Sequence, residues 1–492
     1  MAETSASESR SAQLPRGVGW VLACVAGIQF LVSLDLSLVN VALPAIQADV
    51  GLSDAALSWV VTAYVLLYGG FLLAGGRLGD LFSRRHVLVI GMSLFGIASV
   101  LGGLAPNGGV LIAARALQGF GAALVAPAAL ALVTVYFPEG QGRSKALGLW
   151  AGATLIGGAL GVVLSGVLTE IWGWRAVMFV NVPIVLACSV AVLRLPEQRP
   201  QMGIRIDVAG AVLVTAGMAS LVFGVSMAEL EGWSSPWTLG PAVAGVAALA
   251  AFVLVERRAI DPMMRLDLFR HRAVVAANVF ALLVTGGQLA SFFFVSLHMQ
   301  QVLGFDALAT GVAFLPFCLG SAVAMAIATK LLPRLGPRAL LVTGGLIGAL
   351  GIAWFSLGSP DGTFLSDILG PSIVTSLGLG AGFVAMGGAA TTGVPQEDAG
   401  MVSGLLNSSR LLGGSLGLAA LATLAASVTS GSDESGVAAA SAGYSAALLC
   451  AAGLVALGAL ACLSIPRGAD TAPKPDADTA TAPRASRTAS DS

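Results

Sequence analysis

The segment Gly76-Arg-Leu-Gly-Asp-Leu-Phe-Ser-Arg-Arg85 has a counterpart in Thr329-Lys-Leu-Leu-Pro-Arg-Leu-Gly-Pro-Arg338. Both segments carry a basic residue followed by Leu at their second and third positions, and both carry a basic residue at the tenth. Each one is a short polar connection between two long apolar runs. The repeat divides the chain into two related halves, an arrangement found in many secondary transporters, whose substrate site lies between the halves near the middle of the membrane.

Apolar runs of membrane length flank both segments and continue along the chain. The residues are 56% hydrophobic and only 10% charged, whereas a soluble domain carries about 25% charged residues. A membrane-spanning helix needs about 20 apolar residues. The composition therefore predicts an all-α membrane protein. Its fourteen predicted spans are 17–43, 57–76, 87–105, 109–136, 146–169, 176–195, 208–226, 239–255, 273–298, 308–328, 339–357, 367–390, 402–427 and 442–465.

The repeat also predicts how the spans are grouped, because it places the second span opposite the tenth. Two six-helix bundles are then separated by two additional spans. The alternating charges of 256–272 allow either a solvated connector or a helix lying on the inner membrane surface. The predicted units are an N-terminal tail 1–16, a first bundle 17–196, linker spans 197–255, a charged loop 256–272, a second bundle 273–465 and a disordered tail 466–492.

The basic residues predict the orientation of these spans. If the N-terminus is cytoplasmic, all of the 25 basic residues except Arg115, Arg175 and Arg410 fall on cytoplasmic segments. Basic loops resist translocation, so this asymmetry fixes orientation, and one missed span would invert every later loop. We therefore expect both termini in the cytoplasm of a bacterial cell and the spans in its inner membrane.

A single acidic residue lies well inside a predicted span. Asp35 is in the first span, where an ionised carboxylate costs about 2.5–3.5 kcal/mol on insertion scales and so needs a partner, water or a proton. Arg115 in the fourth span is at a similar depth and is the expected counter-charge. We predict that Asp35 and Arg115 couple proton binding to transport; purely structural roles for both residues remain open.

Further polar and aromatic side chains in the spans predict a substrate cavity, although aromatic residues at this density are more often lipid or core contacts. Two regions are predicted to take part in conformational change: the end of the second span with the loop after it, and the fifth span. Asp80 with the basic pair after it predicts a cytoplasmic gate, and glycines at G-x-x-x-G spacing suit tight packing and rocking of helices. The predicted cavity residues are Asn40, Gln118, Gln288, Phe292, Asn407 and Arg410; the gate residues are Gly76, Asp80, Arg84 and Arg85; the packing glycines are Gly157, Gly161 and Gly166.

At these residues the chain resembles the fourteen-span drug:proton antiporter family of the major facilitator superfamily, from about residue 17 to 465. The resemblance implies the major facilitator fold, a role for Asp35 in coupling or substrate binding, and a role for Arg115 in proton transfer. Two motifs depart from the family pattern: Val162 and Ser165 replace a Pro and a Gly of the fifth-span motif, and Ser83 replaces the usual Gly of the loop motif. In the second repeat, Pro333 stands where the first repeat has Asp80. The segments that carry the resemblance are Leu34–Pro44, Gly76–Arg85, Arg115–Gly121, Trp174–Arg175 and Phe179–Pro183.

These features predict proton-coupled efflux of drugs or antibiotics by alternating access. An importer or facilitator of a metabolite without proton antiport is the alternative. A membrane enzyme is disfavoured because the three His residues are dispersed, and the five Cys residues have no paired or metal-binding spacing. We expect no catalytic residues, metal or cofactor, only the proton gradient. The expected partners are a small amphiphilic substrate, protons and the lipid bilayer, with no nucleic acid, and the protein is expected to be monomeric.

Overall fold

The computed structural model describes residues 18–137, 141–195, 208–258, 265–359, 362–390, 394, 399–432 and 436–466. The predicted tails 1–16 and 466–492, apart from Pro466, lie outside the described residues. Parts of the linker segment and of the charged loop also lie outside them. Within the helices a few side chains, that of Asp80 among them, are not described.

The described chain is a succession of long helices, as expected where lipid leaves backbone groups only internal hydrogen-bond partners. Several helices have 30 residues or more, which is longer than the bilayer core requires. The helices are α1 (Val18–Val50), α2 (Asp54–Leu81), α3 (Arg84–Gly103), α4 (Gly108–Tyr136), α5 (Gln141–Trp172), α6 (Arg175–Phe179), α7 (Asn181–Leu193), α8 (Val208–Glu231), α9 (Pro236–Glu256), α10 (Arg272–Leu297), α11 (Ala307–Ala313), α12 (Leu315–Phe355), α13 (Gly370–Ala390), α14 (Ala399–Ser430) and α15 (Val437–Ala461).

Among the described residues, 12 helical runs are long and apolar enough to cross a membrane. This is fewer than the fourteen spans predicted from the sequence, and the difference arises at two places. In α2 the qualifying apolar stretch is only Ala56–Leu72, which is shorter than a full span. Residues 307–355 count as a single run, although the helical backbone is interrupted at Gly336, where φ is 76° and ψ is 163°.

The helices pack as two bundles with one additional pair. Helices α1–α7 contact one another in the first bundle, and α10–α15 do so in the second. The pair α8 and α9 packs closely together, and α8 lies against both α2 and α14, so it covers one junction between the bundles. The hydroxyl of Thr215 in α8 donates to the Gly70 carbonyl of α2 at 2.9 Å, which fixes the pair to the first bundle.

Short polar residues start the helices that follow four of the loops predicted to face outward. Each accepts a hydrogen bond from a backbone N–H of the first turn, which satisfies a donor that has no partner inside the helix. These loops contain no basic residue, and the side chains that accept these hydrogen bonds are neutral or acidic. The caps are Ser53 of α2 (3.2 Å), Asn107 of α4 (3.0 Å), Ser235 of α9 (3.2 Å) and Asp306 of α11 (2.6 Å).

The two bundles are held together at the end where α1 finishes. Ser296 donates to the backbone carbonyl of Asn40 at 3.1 Å, and Gln300 donates to that of Val41 at 3.1 Å. Beyond them, the Gln301 side-chain amide donates to Gln47 Oε1 at 3.2 Å. These bonds join α1 to the end of α10 and the turn after it, and they close the molecule at this end.

Candidate functional site

The acid of the first span and the arginine of the fourth are in direct contact. Arg115 Nη1 lies 2.6 Å from Asp35 Oδ2, and neither residue has any exposed surface. The two side chains come from α1 and α4, which run past each other in the first bundle. The structure thus brings together the two residues predicted for proton coupling; the coupling itself stays a prediction.

Two amides complete the surroundings of Asp35. Asn181 Nδ2 donates to Asp35 Oδ1 at 2.7 Å, and Gln118 Nε2 approaches the same oxygen at 3.4 Å. Gln118 also donates to the Ser99 hydroxyl at 2.8 Å. The carboxylate is therefore held by α4 and α7 together, and Ser99 connects it to α3.

Arg115 has partners besides the acid. Its Nε donates to the Val60 carbonyl of α2 at 3.1 Å, and its Nη1 donates to Gln118 Oε1 at 2.9 Å. The guanidinium carbon also lies 4.4 Å from the centre of the Tyr64 ring, a cation–π distance. Arg115 therefore keeps a hydrogen-bonded position that does not depend on Asp35 alone.

Gln118 was predicted to line the substrate cavity, but its side chain is fully buried beside Asp35. Its amide both donates to and accepts from members of this network, so it has no group left to face a cavity in this conformation. The i, i+3 spacing from Arg115 was the correct signal, since it puts both side chains on one helix face. In this conformation Gln118 belongs to the acid site, and its role in a substrate cavity stays a prediction.

The sequence reasoning did not include Asn181 and Ser99 among the site residues. Asn181 lies inside the Phe179–Pro183 segment that carries the family resemblance, so a signal for it was present. Ser99 had none, because a lone Ser in an apolar helix is usually bonded to its own backbone. Ser99 makes that bond too, donating to the Phe95 carbonyl at 2.8 Å.

The predicted packing glycines bring α5 against the helix that carries Asp35. A side chain at Gly157 would start 2.7 Å from the Phe30 carbonyl, and one at Gly161 would start 2.7 Å from that of Leu34. At the far end of α5, Gly166 meets the carbonyl of Ala307 in α11, so it packs across the junction between bundles. Close approach of backbones explains why these positions are glycine; a role in rocking stays a prediction.

Ser165 occupies one of the altered positions of the fifth-span motif. Its hydroxyl donates to the Leu38 carbonyl of α1 and has no exposed surface. Val162, at the position of the usual Pro, presents its carbonyl to Gly311 of α11. The altered motif therefore contacts both bundles.

Asn40, another predicted cavity residue, lies at the closed end of the junction. Its amide donates to the Leu36 carbonyl at 2.9 Å, and its Oδ1 is buried and has no hydrogen-bond partner. Its own backbone carbonyl accepts from Ser296 of the other bundle. In this conformation Asn40 is part of the contact between the bundles.

Gln288 and Phe292 are close together in the second bundle. The Phe292 ring stacks on Phe314 at 5.2 Å and meets Phe317 edge-on at 4.7 Å. Together with Gln288 these rings line a small pocket that also includes Thr375, whose hydroxyl is buried without a partner. This pocket lies between α10, α12 and α13.

The pocket occupies the place in the second bundle that the acid site occupies in the first. The repeat that pairs Gly76 with Thr329 pairs Asp35 with Gln288, Tyr64 with Phe317 and Ser99 with Ile352. All three counterparts line the pocket. Corresponding positions of the two halves therefore come together in space, but only those of the first half carry charged side chains.

Asn407 and Arg410 lie on α14, one turn apart and both half-buried. The Arg410 guanidinium carbon is 5.0 Å from the centre of the Phe383 ring in α13. Next to Arg410, the side chain of Leu411 lies against Gly69 of α2. Arg410 therefore lies where the two bundles meet. It is on α14, whereas Gln288 of the pocket is on α10.

The predicted cytoplasmic gate is only partly described. Gly76 is half-buried in the last turns of α2, and Arg84 and Arg85 form the first turn of α3. Ser83 precedes them as the cap residue but makes no side-chain cap bond. The Asp80 side chain lies outside the described residues, so the latch between Asp80 and the basic pair stays a prediction.

Among the described residues, no group of three or more His, Cys, Asp or Glu side chains is placed to hold a metal ion. The cysteines Cys24, Cys188, Cys318, Cys450 and Cys462 are free. The polar groups described in the membrane interior include the Asp35–Arg115 ion pair, several amides and hydroxyls, the buried His298 and Arg410.

The long apolar helices, the two bundles and the charged site between α1 and α4 together define a multi-pass membrane transporter. The chain belongs to the Major Facilitator Superfamily, whose family profile matches residues 25–418. It is a transporter and not an enzyme.

Known relatives and a solved structure agree with this assignment. The chain is 43% identical to the cephamycin export protein CmcT of Amycolatopsis lactamdurans, over 84% of this chain and 85% of that protein. It is 39% identical to the puromycin resistance protein pur8 of Streptomyces alboniger, over 83% and 82%. The fold matches a bacterial homologue of the human lysosomal transporter Spinster in an inward-facing, unoccupied conformation, with a TM-score of 0.67, 17% identity, and coverage of 92% and 98%.

Proposed function

We propose that this protein exports antibiotic-like small molecules across the bacterial cytoplasmic membrane, in exchange for protons that bind Asp35. The relatives named for cephamycin export and puromycin resistance, each matched over more than four fifths of its length, support the export of antibiotics. The burial of Asp35 against Arg115 supports proton coupling. This one contact carries the mechanistic part of the proposal.

The contact is suited to a proton switch because each partner has other bonds. Protonation of Asp35 removes the charge that Arg115 neutralises, and an uncompensated buried charge is costly. Arg115 then still has the Val60 carbonyl and the Tyr64 ring, while Asp35 still has Asn181. The two states of the acid thus differ in how firmly α1 is tied to α4, and each remains hydrogen-bonded.

The path from the acid to the junction between bundles is short. Asp35 lies on α1, and five residues later the carbonyl of Asn40 accepts from Ser296 of the second bundle. A small shift of α1 relative to α4 therefore moves the closed end. We propose that proton binding at Asp35 biases alternating access through α1 in this way.

We propose fourteen crossings of the membrane with both termini in the cytoplasm. Helix α2 has 28 residues, which is long enough to cross although its apolar stretch is short. Helix α12 has 41 residues and is broken at Gly336, where the basic residues Arg334 and Arg338 flank the break. Counting α2 as a crossing and dividing the run 307–355 at Gly336 places these basic residues on the cytoplasmic side.

The proposal is tested with purified protein in liposomes that carry an imposed pH gradient. Puromycin and a cephamycin are suitable first compounds, because relatives of the chain are named for them. The wild-type protein should move one of them against its gradient only when the pH difference is present. Asp35→Asn should bind the compound yet fail to accumulate it.

Movement that ignores the pH gradient, with Asp35→Asn behaving like the wild type, would remove proton antiport. A facilitator of the same fold would then be the better description. The Asp49→Asn variant is the matched control, because it also removes an Arg–Asp pair but an exposed one, with Arg175.

A further inference from the structure

One arginine inside the membrane has no acidic partner among the residues that the structure describes. Arg410 makes no ion pair with any described carboxylate, and its buried Nε has no hydrogen-bond partner. The contacts that hold its guanidinium are aromatic: the Phe383 ring lies 5.0 Å away, and Tyr68 of α2 is also close enough to interact electrostatically. Arg115, the other arginine inside the described spans, differs because its charge is paired with Asp35.

An unpaired cation at this depth is costly, and such residues mark substrate or ion pathways. Arg410 is only partly buried, and its neighbour Leu411 packs on Gly69 of α2, so Arg410 lies at the junction of the two bundles. Guanidinium groups bind carboxylates, sulfonates and phosphates through two parallel hydrogen bonds. The missing partner is therefore an anion that the described residues do not supply.

A second polar side chain shares the face of α14 that carries Arg410. Asn407 lies one turn earlier, is half-buried, and makes no hydrogen bond to another described residue. Side chains three residues apart lie side by side on a helix. The amide and the guanidinium thus form a pair of donors, with the Phe383 ring as an apolar wall beside them.

We propose that Asn407 and Arg410 bind the anionic group of an aromatic substrate, and that Phe383 contacts its ring. This rests on the proposed transport function and narrows it to amphiphiles that carry a carboxylate, sulfonate or similar group. The site lies where α14 meets α2, so an anion bound there contacts the second bundle directly beside the first.

The test compares two fluorescent probes that differ by one charged group. 1-Anilinonaphthalene-8-sulfonate carries a sulfonate, and N-phenyl-1-naphthylamine has the same aromatic body without it. Binding is titrated to the full chain in nanodiscs without a pH gradient, after subtraction of empty nanodiscs. Arg410→Gln should weaken binding of the sulfonate probe at least tenfold, the effect of losing a charge-assisted hydrogen bond, and leave the neutral probe within twofold.

Arg410→Lys keeps the charge but cannot make the two parallel hydrogen bonds of a guanidinium, so it should weaken binding of the sulfonate probe less than Arg410→Gln does. Asn407→Ala should weaken binding of the sulfonate probe two- to tenfold. This variant tests the site if Arg410→Gln does not fold. Arg175→Gln, which removes an exposed arginine at the end of the bundle, is the control and should change neither probe.

Equal losses for both probes, or no loss for the sulfonate in either variant, would overturn the anion site. Because binding is measured without a gradient, this result is independent of proton coupling. A protein that fails to couple protons could still prefer the anion, and a coupled exporter could lack that preference.

Discussion

Arg115 and Asp35 form an ion pair of 2.6 Å with no exposed surface on either residue. The chain offers an internal comparison in Arg175 and Asp49, which are also paired but whose side chains remain 41% and 46% exposed. The same chemistry is thus present once in the membrane interior and once at the end of a bundle. The two pairs should respond very differently to the same substitution.

Asp35→Asn should destabilise the folded protein by about 3–5 kcal/mol, because it leaves the Arg115 charge buried and uncompensated. Asp49→Asn should cost far less, because water solvates and screens an exposed pair. Thermal unfolding of the two variants in the same detergent measures the difference. Equal shifts of the melting temperature would show that the buried pair contributes no more to stability than the exposed pair.

Replacing both members of the buried pair should cost less than the two single changes together. In Asp35→Asn combined with Arg115→Gln no buried charge remains, and the amides can still bond to Asn181 and the Val60 carbonyl. Contacting residues of this kind show coupling of about 0.5–3 kcal/mol. A double-mutant cycle on unfolding measures it, and strict additivity would argue against a direct interaction.

Gly161→Ala should destabilise the first bundle, whereas Gly152→Ala should not. A methyl group at Gly161 would start 2.7 Å from the Leu34 carbonyl, so α1 and α5 must separate; at Gly152 nothing lies within 4 Å. Overpacking of this kind costs about 1–3 kcal/mol, while Ala in an open helix position gains up to about 1 kcal/mol over Gly. Melting temperatures should therefore move in opposite directions, and a fall in both would contradict the packing described.

Gln300→Ala should favour opening of the end that is closed in this structure. The substitution removes the bond to the Val41 carbonyl and one to Ser296. Each net bond contributes about 0.5–1.5 kcal/mol, so loss of one shifts the open population by about 2- to 13-fold. Spin labels at Leu52 and Leu308, in a background without the native cysteines, report the distance across this end. An unchanged distance distribution would show that other contacts alone keep it closed.

The fourteen proposed crossings make an alternating pattern of accessible loops. A cysteine placed at Gly51 or Gly304 should react with an impermeant reagent from outside intact cells, and one at Gly336 only from inside. All three positions have positive φ, and nothing lies within 4 Å of a side chain added at any of them. Labelling of Gly336 from outside would show that α2 does not cross or that residues 307–355 cross only once.

How far the sequence alone predicted the site differs from residue to residue. Asp35 and Arg115 were identified because ionised groups inside apolar runs are rare and costly. Gln118 was assigned to the cavity because helical spacing predicts which face of α4 carries its side chain but not which other helix packs against that face. Asn181 and Ser99 were missed because a neutral polar side chain gives no such signal until another helix supplies its partner.

For Asn40 and the glycines of α5, the sequence predicted that the positions matter and the structure supplied what they contact. G-x-x-x-G spacing predicts a close helix neighbour without naming it; the neighbour of Gly157 and Gly161 is α1, and that of Gly166 is α11. Asn40 lies in a segment that carries the family resemblance, but its carbonyl is used to bind the other bundle.

The sequence by itself determined that the protein is a helical membrane protein built from two related halves, since apolar length and loop charge act locally along the chain. It also singled out the buried acid, because the cost of a charge in lipid depends on depth and not on the partner. Only the tertiary structure decided which face of α1 meets α4, that the second half replaces the acid site with an uncharged pocket, and which end is closed. Those outcomes depend on contacts between helices far apart in sequence, which no local pattern specifies.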